Sequence, residues 1–498
     1  VLVNSAVGPD IIPGTITLDA NNTAETGPHF VDPTTFNYHI DFASPCTDAG
    51  LSSYTGVTIP TSDYENTPRF GPTDIGAYEG SYARWIGTTS SDWTVLTNWF
   101  RSVSPTNNNV IIPSGCTNYP TSNTSLSYTV ASGKKLVIEP GAKATFASLT
   151  NNGKIVLESD ATGIFSLLTN SYSGSSGTLK VDLFITGGSP APGLYRWHYI
   201  APPVNTPKSV FTSINPYNLL SYDQSKVTTD VSQGWQWHDG YDGTTGFSTL
   251  EAKKGYNVFH TADATLEFNN LTTLTTSLGQ INLPFNTYST DTTIFGYSLV
   301  GNSLTCGINW DLVTRSSTTY VRNAIYITTN DNVASYVNGV GTNGGTAHIP
   351  PLQGFMVKTR ATGTYITIPD NAREHNSTLR FKSSTVIPLV RLEVSKGLVK
   401  DETVIRLENQ ATLKFDSEYD AGKMYGQFNA IPQICTVINQ EQYSINSIPW
   451  PETFTIVPLA LKIPSSGTYK IKQTEYKGMT CRVTLTDNNT GNIIDLSA

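Results

Sequence analysis

Short alternating segments recur between residues 108 and 182 of this 498-residue chain, and they constrain its fold more than any other feature. In each of three segments, apolar and polar residues alternate until a Gly, Pro or Asn interrupts the run. The segments are Val110–Gly115, Lys135–Ala142 and Leu149–Leu157. Alternation of this kind is typical of strands buried on one face, and offsets of about 20 residues match one turn of a parallel β-solenoid. The repeats predict a short β-solenoid-like unit at 81–182.

The composition extends a β architecture to the whole chain. Its 40 Gly and 28 Pro supply the turns that many short strands require. Only 14% of the residues are charged, against about 25% in ordinary soluble domains, so Ser, Thr, Asn and Gly must make the surface polar. No helix-length window keeps a 3.6-residue apolar period. We therefore predict an all-β protein, and its length predicts roughly three or four domains.

Several functional classes are disfavoured. A formal charge of −8 argues against sequence-independent nucleic-acid binding, which needs a cationic face. No run of 18 apolar residues is present, so we expect no transmembrane helix. The five cysteines stand singly, without the spacing of a metal site, and a disulfide such as Cys435–Cys481 stays open. No nucleophile turn or nucleotide-binding glycine motif occurs, and we expect no catalytic residues in this chain.

Two phrases near the start, Ser44-Pro45-Cys46-Thr47-Asp48-Ala49-Gly50 and Gly71-Pro72-Thr73-Asp74-Ile75-Gly76-Ala77-Tyr78-Glu79, belong together. The pair resembles the final coils and closing segment of bacterial right-handed parallel β-helix surface proteins. The resemblance implies that residues 1–80 close such a helix and that charged side chains tie the closing loop to its last rung, since buried charges need partners. These closure residues are Asp48, Asp63, Arg69, Asp74 and Glu79. Catalysis by Asp74 and Glu79 is the less favoured alternative.

Trp85, Trp93 and Trp99 follow in a W-x-G…S-x-D-W…x-N-W pattern. The spacing resembles a module opening found in secreted proteins of gliding and gut Bacteroidota. The three rings either staple the start of a β unit or form a platform for sugar stacking. Because Trp is usually largely buried, we favour the structural role.

The rest of the chain divides into two modules, 183–375 and 376–498. The first carries the ordered phrases WHYI-x-PP-V, KGYNVF, G-x-SLVGN…INWD and IPPLQGFMVK, and we predict a β-sandwich-like module. It resembles the module that precedes the secretion signal of type IX-secreted proteins, and 376–498 resembles the jelly-roll-like β-sandwich that follows it. The resemblance implies the C-terminal region of a large Bacteroidota cell-surface protein, here without its upstream coils and cut before any sorting domain.

Trp235 and Trp237 are the candidate ligand-binding residues. Residues two apart on a strand share one face, so the two rings can stack on a glycan. The alternative is that they pack in a sandwich core, where most Trp side chains lie.

Calcium is the one cofactor considered. Asp239 and Asp242 in one loop, and Asp416, Glu418 and Asp420 in another, alternate carboxylates in the manner of oxygen ligands. Neither loop matches an EF-hand, and both are also explained as turns or as solvated strand faces.

Three hypotheses for function follow. The favoured one is a non-catalytic stalk that presents an upstream β-helix from the cell surface, with the type IX translocon and outer-membrane shuttle proteins as partners during export. The second is a glycan-binding or adhesin region that contacts glycans or other surface proteins. The third is the tail of a β-helix polysaccharide-degrading enzyme whose active site lies upstream.

Overall fold

The computed structural model describes residues 30–32, 37–40, 44, 46, 60–65, 74–78, 82–121, 125–174, 176–188, 196–214, 217–240, 246–285, 295–329, 332–375, 386–425 and 431–497. Strands account for 48% of the protein and helical turns for 6%, which confirms the all-β prediction. The helical turns of the described residues are all 3-10 turns, at Leu96–Asn98, Phe100–Ser102, Lys208–Ile214, Gln224–Lys226, Val231–Gly234, Trp310–Leu312 and Asp370–Ala372. Within these described residues, no helix has the length and apolarity needed to cross a bilayer.

The described part of 1–80 contains one antiparallel pair, β1 (Phe30–Asp32) and β2 (Asn37–Ile40). Ile75 N donates to the carbonyl of Cys46 at 2.8 Å. The two phrases that define the closing segment are therefore adjacent in space, as the resemblance implies. The predicted parallel coils of this region stay a prediction.

The predicted solenoid is present, with about four turns. Its strands are β3 (Tyr82–Arg84), β4 (Asn109–Ile112), β5 (Ser127–Val130), β6 (Lys135–Ile138), β7 (Lys143–Asn151), β8 (Lys154–Leu157), β9 (Ser159–Asp160), β10 (Gly163–Ile164), β11 (Ser166–Ser173) and β12 (Thr178–Ile185). Strands β3, β4, β6, β8 and β12 pair in parallel along one sheet, and β5, β7 and β11 pair in parallel along a second.

The interior of the solenoid is a register-matched apolar stack. Val110 pairs with Leu136, Leu136 with Ile155, and Ile155 with Leu179, and all four are buried. Each turn covers the apolar face of the next, which is how solenoids bury a core from short repeats. The alternating patterns in the sequence exist because only one face of each strand enters this stack.

The W-x-G pattern lies at the start of the solenoid, where its tryptophans and its glycine have packing roles. The Trp85 indole N–H donates to the carbonyl of Asn118 at 2.7 Å, and Trp99 donates to the carbonyl of Trp93 at 2.9 Å. Gly87 has a φ of +55°, and a Cβ there would lie 1.9 Å from the same Asn118 oxygen. All three tryptophans are buried in one cluster. The structural interpretation of these rings is confirmed.

The second module contains β13 (His198–Ile200), β14 (Thr206–Pro207), β15 (Tyr217–Tyr222), β16 (Trp235–Trp237), β17 (Thr249–Leu250), β18 (Tyr256–His260), β19 (Ala264–Leu271), β20 (Gly279–Leu283), β21 (Tyr297–Gly301), β22 (Gly307–Asn309), β23 (Thr314–Arg315), β24 (Val321–Thr329), β25 (Asn332–Val337), β26 (Val340–Thr342), β27 (His348–Ile349), β28 (Gly354–Thr359), β29 (Thr364–Ile368) and β30 (Arg373–Glu374). Its two main sheets run β13-β18-β15-β16 and β21-β28-β24-β25-β26. Strand β19 instead joins the solenoid, antiparallel to β12, and covers an edge that would otherwise be open.

The five-stranded sheet of this module is buried on both faces. Strands β25 and β28 are buried at every position. One face, with Tyr326 and Met356, packs toward the four-stranded sheet and the third module. The other, with Ile325 and Phe355, packs on the remaining strands of the second module. Its strands consequently contain short apolar runs, such as residues 324–327 and 355–357, next to buried polar residues.

The third module contains β31 (Leu389–Lys396), β32 (Val399–Leu407), β33 (Ala421–Gly422), β34 (Gln433–Ile438), β35 (Glu441–Ile448), β36 (Leu459–Lys462), β37 (Lys470–Lys477), β38 (Thr484–Thr486) and β39 (Ile493–Asp495). One sheet runs β36-β34-β35-β32-β31-β37, with β33 also on β35, and β38 and β39 form a separate hairpin. All five cysteine thiols of the protein are free, so the Cys435–Cys481 disulfide is not formed.

Candidate functional site

A cleft of about 920 Å³ opens in the second module, between its four-stranded sheet and strands β20 and β21. This volume lies within the range of small-molecule sites. The lining is mixed, with amide, hydroxyl, ammonium and aromatic side chains. The members used below are Tyr222, Asp223, Gln224, Lys226, Phe247, Lys253, Lys254, Tyr297 and Ser298.

Gln224 is the most unusual residue of the cleft. It begins the 3-10 turn Gln224–Lys226, which Asp223 caps by accepting a hydrogen bond from Ser225 N at 2.9 Å. The side chain is only 2% exposed, and neither atom of its amide group has a hydrogen-bond partner in the described part of the chain. Ser298, on β21, has an equally buried and unpartnered hydroxyl.

Unpartnered buried polar groups are costly. Each such group costs about 1–3 kcal/mol of desolvation, and folded proteins contain few of them. Gln224 and Ser298 share this feature with Asn257 and Asn446, whose side-chain amides are also buried without a hydrogen-bond partner among the described residues.

The charge of the cleft is positive although the protein as a whole is acidic. Lys226, Lys253 and Lys254 line it, and none of them forms an ion pair with a described residue; Asp223 is the acidic member of the lining. Lys253 has a φ of +69°, a backbone conformation that non-glycine residues rarely adopt. Two backbone hydrogen bonds hold Lys253 in this conformation. Its N–H donates to the Ser303 hydroxyl, and its carbonyl accepts from Gly301 N.

Aromatic side chains complete the walls. Burial raises the pKa of the Tyr222 and Tyr297 hydroxyls, so both remain neutral. The Tyr222 hydroxyl donates to the carbonyl of Val231 at 3.2 Å, which fixes the ring. Phe247 adds an apolar surface.

Trp235 and Trp237 share one face of β16, as the sequence predicts. Both pack in a cluster with Trp197, Leu220 and Phe259. Trp235 also contacts the rings of Tyr199 and Tyr222, with centroid distances of 6.0 and 5.0 Å, and both tryptophans are half-buried. Trp235 is thus largely used in packing. Stacking of either ring on a glycan stays a prediction. Gln236, which lies between them, lines the cleft on the opposite face of the strand.

The carboxylates of the predicted calcium loop 416–420 have separate protein partners. Glu418 forms a two-point ion pair with Arg315 at 2.8 and 2.7 Å. Asp420 accepts from Asp416 N and Ser447 N, both at 2.7 Å, while the Asp416 carboxylate accepts from Thr412 N at 2.6 Å. The described residues contain no group of three or more acidic, His or Cys side chains arranged to hold a metal. Calcium binding here stays a prediction.

The other candidate residues are only partly described. Asp239 follows β16, and Asp242 lies outside the described residues. Asp63 and Asp74 are buried, as expected for closure residues. Asp48, Arg69 and Glu79 lie outside the described residues, so their pairing stays a prediction.

One feature was not predicted: a ladder of carboxylates on the solenoid. Glu139, Glu158 and Asp182 each follow paired residues of β6, β8 and β12, and Asp182 pairs with Glu267 on β19. The four line a groove of about 470 Å³. Burial, and then the charge of Glu139, raise the pKa of Glu158 to about 7. Lys180 pairs with Asp182 and Glu267, at 3.2 and 2.6 Å. The sequence pattern that indicates this ladder is an acidic residue at the same position in successive repeats.

Residues 84–498 match a family model described as a domain of unknown function (DUF8693). The matched range begins at the last residue of β3, the first strand of the solenoid, and extends through the second and third modules. No curated protein and no solved structure matches the chain.

Proposed function

The chain belongs to the DUF8693 family, whose function is unknown, and we propose from its geometry that it is a rigid, non-catalytic spacer that presents the remainder of a secreted cell-surface protein. One observation supports this proposal above the others: the three units share apolar cores and polar contacts among their described residues. Relative motion is the default between domains unless their interface is large and hydrophobic.

The first junction, between the solenoid and the second module, is closed in three ways. Strand β19 continues the solenoid sheet, and one apolar cluster contains residues from both units. Arg373 donates to the carbonyls of Thr169 and Thr276, at 2.9 and 2.7 Å, and to the Asn170 side chain at 2.8 Å. These contacts connect strands far apart in the sequence, and they oppose bending.

The second junction, between the second and third modules, is closed by both apolar and ionic contacts. One core cluster contains Tyr326 from the second module and Val404 from the third. The Arg315–Glu418 pair crosses the same boundary. Asn343 donates to the buried carboxylate of Asp401 at 2.9 Å. Two-point and buried polar contacts of this kind fix orientation as well as adding stability.

The cellular setting belongs to the same proposal. The phrases that resemble type IX modules support export by that translocon, with outer-membrane shuttle proteins as partners, and a final location on the bacterial cell surface. Protease treatment of intact cells of the source organism is expected to degrade the protein without lysis. Protection until the cells are lysed would contradict surface exposure.

Small-angle X-ray scattering of the full chain tests the rigidity. We expect one conformation to fit the scattering curve at both low and high ionic strength. Arg373→Ala, which removes the two hydrogen bonds that cross the first junction to Thr169 and Asn170, is expected to increase the maximum dimension. Arg482→Ala is the matched control, since it removes only an exposed pair with Asp495. A wild-type curve that requires several module arrangements would contradict a rigid spacer, and polysaccharide cleavage by this chain would contradict a non-catalytic one.

A further inference from the structure

We propose that another cavity, at the boundary between the second and third modules, binds a small organic molecule with one carboxylate and an apolar body. This boundary cavity has a volume of about 290 Å³. Its walls include residues of β21, β24 and β28 from the second module and of β33 and β35 from the third. The binding activity is additional to the spacer role and does not depend on it.

Arg322, on β24, is the residue of the cavity that calls for a ligand. It is only 4% exposed, and within the described part of the chain its guanidinium donates no hydrogen bond and forms no ion pair. Its Cζ lies 3.9 Å from the centroid of the Phe415 ring. A cation–π contact of this kind attracts the charge but supplies no acceptor for the N–H groups. Buried charges are usually paired, so an anion is the missing partner.

Asp420 does not supply that anion. Its carboxylate accepts hydrogen bonds from Asp416 N and Ser447 N, both at 2.7 Å. Burial raises its pKa to about 7, although the charge of Arg322 acts in the opposite direction. The carboxyl group is therefore only partly ionised at neutral pH, and the charge of Arg322 stays incompletely compensated.

The two terminal nitrogens of Arg322 are the groups that a ligand can reach. The Nε atom is sealed from solvent, whereas Nη1 and Nη2 retain accessible surface in the cavity wall. Gly422 lies beside Nη1, and a Cβ there would be 3.4 Å from that atom, so the lack of a side chain leaves the space open. Only an end-on approach remains. The two oxygens of one carboxylate match Nη1 and Nη2 in that geometry.

The charges of the lining favour a single negative charge on the ligand. Lys358 and Lys423 line the cavity with Arg322, and Glu441 is the acidic member of the lining. Lys423 already pairs with Asp401. The other two cations then face one carboxylate, an excess of one positive charge among these groups. A monocarboxylate neutralises that excess, whereas sulfate adds a second negative charge that lacks a partner in a buried site.

The remaining walls suit the apolar body of the ligand. The rings of Tyr297, Tyr425 and Tyr443 and the side chain of Met424 line the cavity. A cavity of about 150 Å³ is enough for benzene, so this larger cavity has room for a ring and its carboxylate. Benzoate is therefore the simplest probe that combines both features.

Isothermal titration calorimetry of the full chain compares benzoate, benzamide, acetate and sulfate at constant ionic strength. We expect benzoate to bind about tenfold more tightly than each of the others, because benzamide lacks the charge, acetate lacks the ring, and sulfate lacks the ring and carries excess charge. Benzoate should also raise the melting temperature, since it binds the folded state. The absence of benzoate binding would overturn the proposal, and so would equally tight binding of any of the other three probes.

Variants of Arg322 locate the site. Arg322→Met removes the charge and keeps an apolar contact with Phe415, and we expect benzoate affinity to fall about tenfold. Without benzoate, its melting temperature should stay the same or rise, because a buried charge without a counterion is removed. An arginine with only a structural role would give a lower melting temperature and unchanged affinity. Arg322→Lys keeps the charge but loses the two-point geometry, so its affinity should be intermediate.

Gly422→Ala tests the same site with Arg322 in place. Gly422 lies in β33, and its added Cβ would make ordinary van der Waals contacts, so we expect a folded protein that binds benzoate severalfold more weakly. Arg482→Met is the matched control, since Arg482 is exposed and pairs with Asp495. Unchanged affinity in Arg322→Met or in Gly422→Ala, or an equal loss in Arg482→Met, would overturn the assignment to this cavity.

Discussion

The solenoid and the third module solve the same problem, the burial of strand surfaces, with different chemistry. The solenoid stacks equivalent apolar residues, such as Leu136 and Ile155, from turn to turn. The third module buries an ion pair, Lys423–Asp401, whose side chains are only 2% and 0% exposed. A repeat needs only complementarity with its neighbours, whereas a module docked on another in one orientation gains from directional polar contacts.

The largest expected effect comes from breaking that ion pair. Asp401→Ala leaves the Lys423 ammonium buried without a counterion and also removes acceptors for Asn343 and Ile434 N. We expect a loss of about 3–5 kcal/mol in the free energy of unfolding, measured by urea denaturation. The double variant Asp401→Leu with Lys423→Met restores much of this loss, because no uncompensated charge remains. A single variant as stable as the parent would mean that the pair contributes little to docking.

A cavity in the solenoid is expected to have the next largest effect. Ile155 is fully buried between Leu136 and Leu179 in adjacent turns, so Ile155→Ala should cost about 3 kcal/mol. Because solenoid turns interact mainly with their neighbours, hydrogen exchange should increase in β6, β8 and β12 more than in the third module. Equal acceleration throughout the protein would show that the units unfold together.

The junction between the solenoid and the second module should respond to acid. His375 lies between the hydroxyls of Thr145 and Ser166, at 2.8 and 2.7 Å. Burial, and then the nearby Lys143, lower its pKa to about 4, with Glu374 acting in the opposite direction. The unfolded chain therefore binds this proton more readily, and the stability is complete above pH 6.5 and is lost as the pH falls toward 4.

We expect about 3 kcal/mol of this acid loss to disappear in His375→Gln, measured as the difference from the parent at each pH. The difference is needed because Asp420, whose pKa is raised by burial to about 7, contributes with the opposite sign and is common to both proteins. A parent and a variant with parallel pH profiles would rule out His375 as the titrating group.

The smallest effect is expected at the carboxylate ladder. The raised pKa of Glu158 means that its contribution is complete below about pH 4.5 and is lost as the pH rises through about 7. Glu158→Gln should therefore stabilise the protein at pH 8 by about 1 kcal/mol or less, since the site is partly solvated, and should change nothing at pH 4. The exposed variant Glu452→Gln serves as the control in thermal melts at both pH values. Equal effects of the two variants would exclude coupling within the ladder.

Much of the fold was predictable because strand patterns are local. The alternation at Lys135–Ile138 and Lys154–Leu157 predicted solenoid strands, and Trp85, Trp93 and Trp99 were expected in a core. The cleft was not predictable, because Gln224 and Ser298 are 74 positions apart in sequence and neither belongs to a motif. A buried amide is not distinguishable from an exposed one until the surrounding sheets are in place.

The sequence by itself determined the all-β class, the solenoid and the structural use of its first tryptophans, because side-chain periodicity and turn residues act over a few positions. The tertiary structure decided which surfaces are shared between the units. It placed β19 on the solenoid edge, directed Trp235 toward Tyr199 and Tyr222, and joined all three units through shared cores. These outcomes depend on contacts between distant segments, and burial, hydrogen bonding and charge compensation at each site are properties of those contacts.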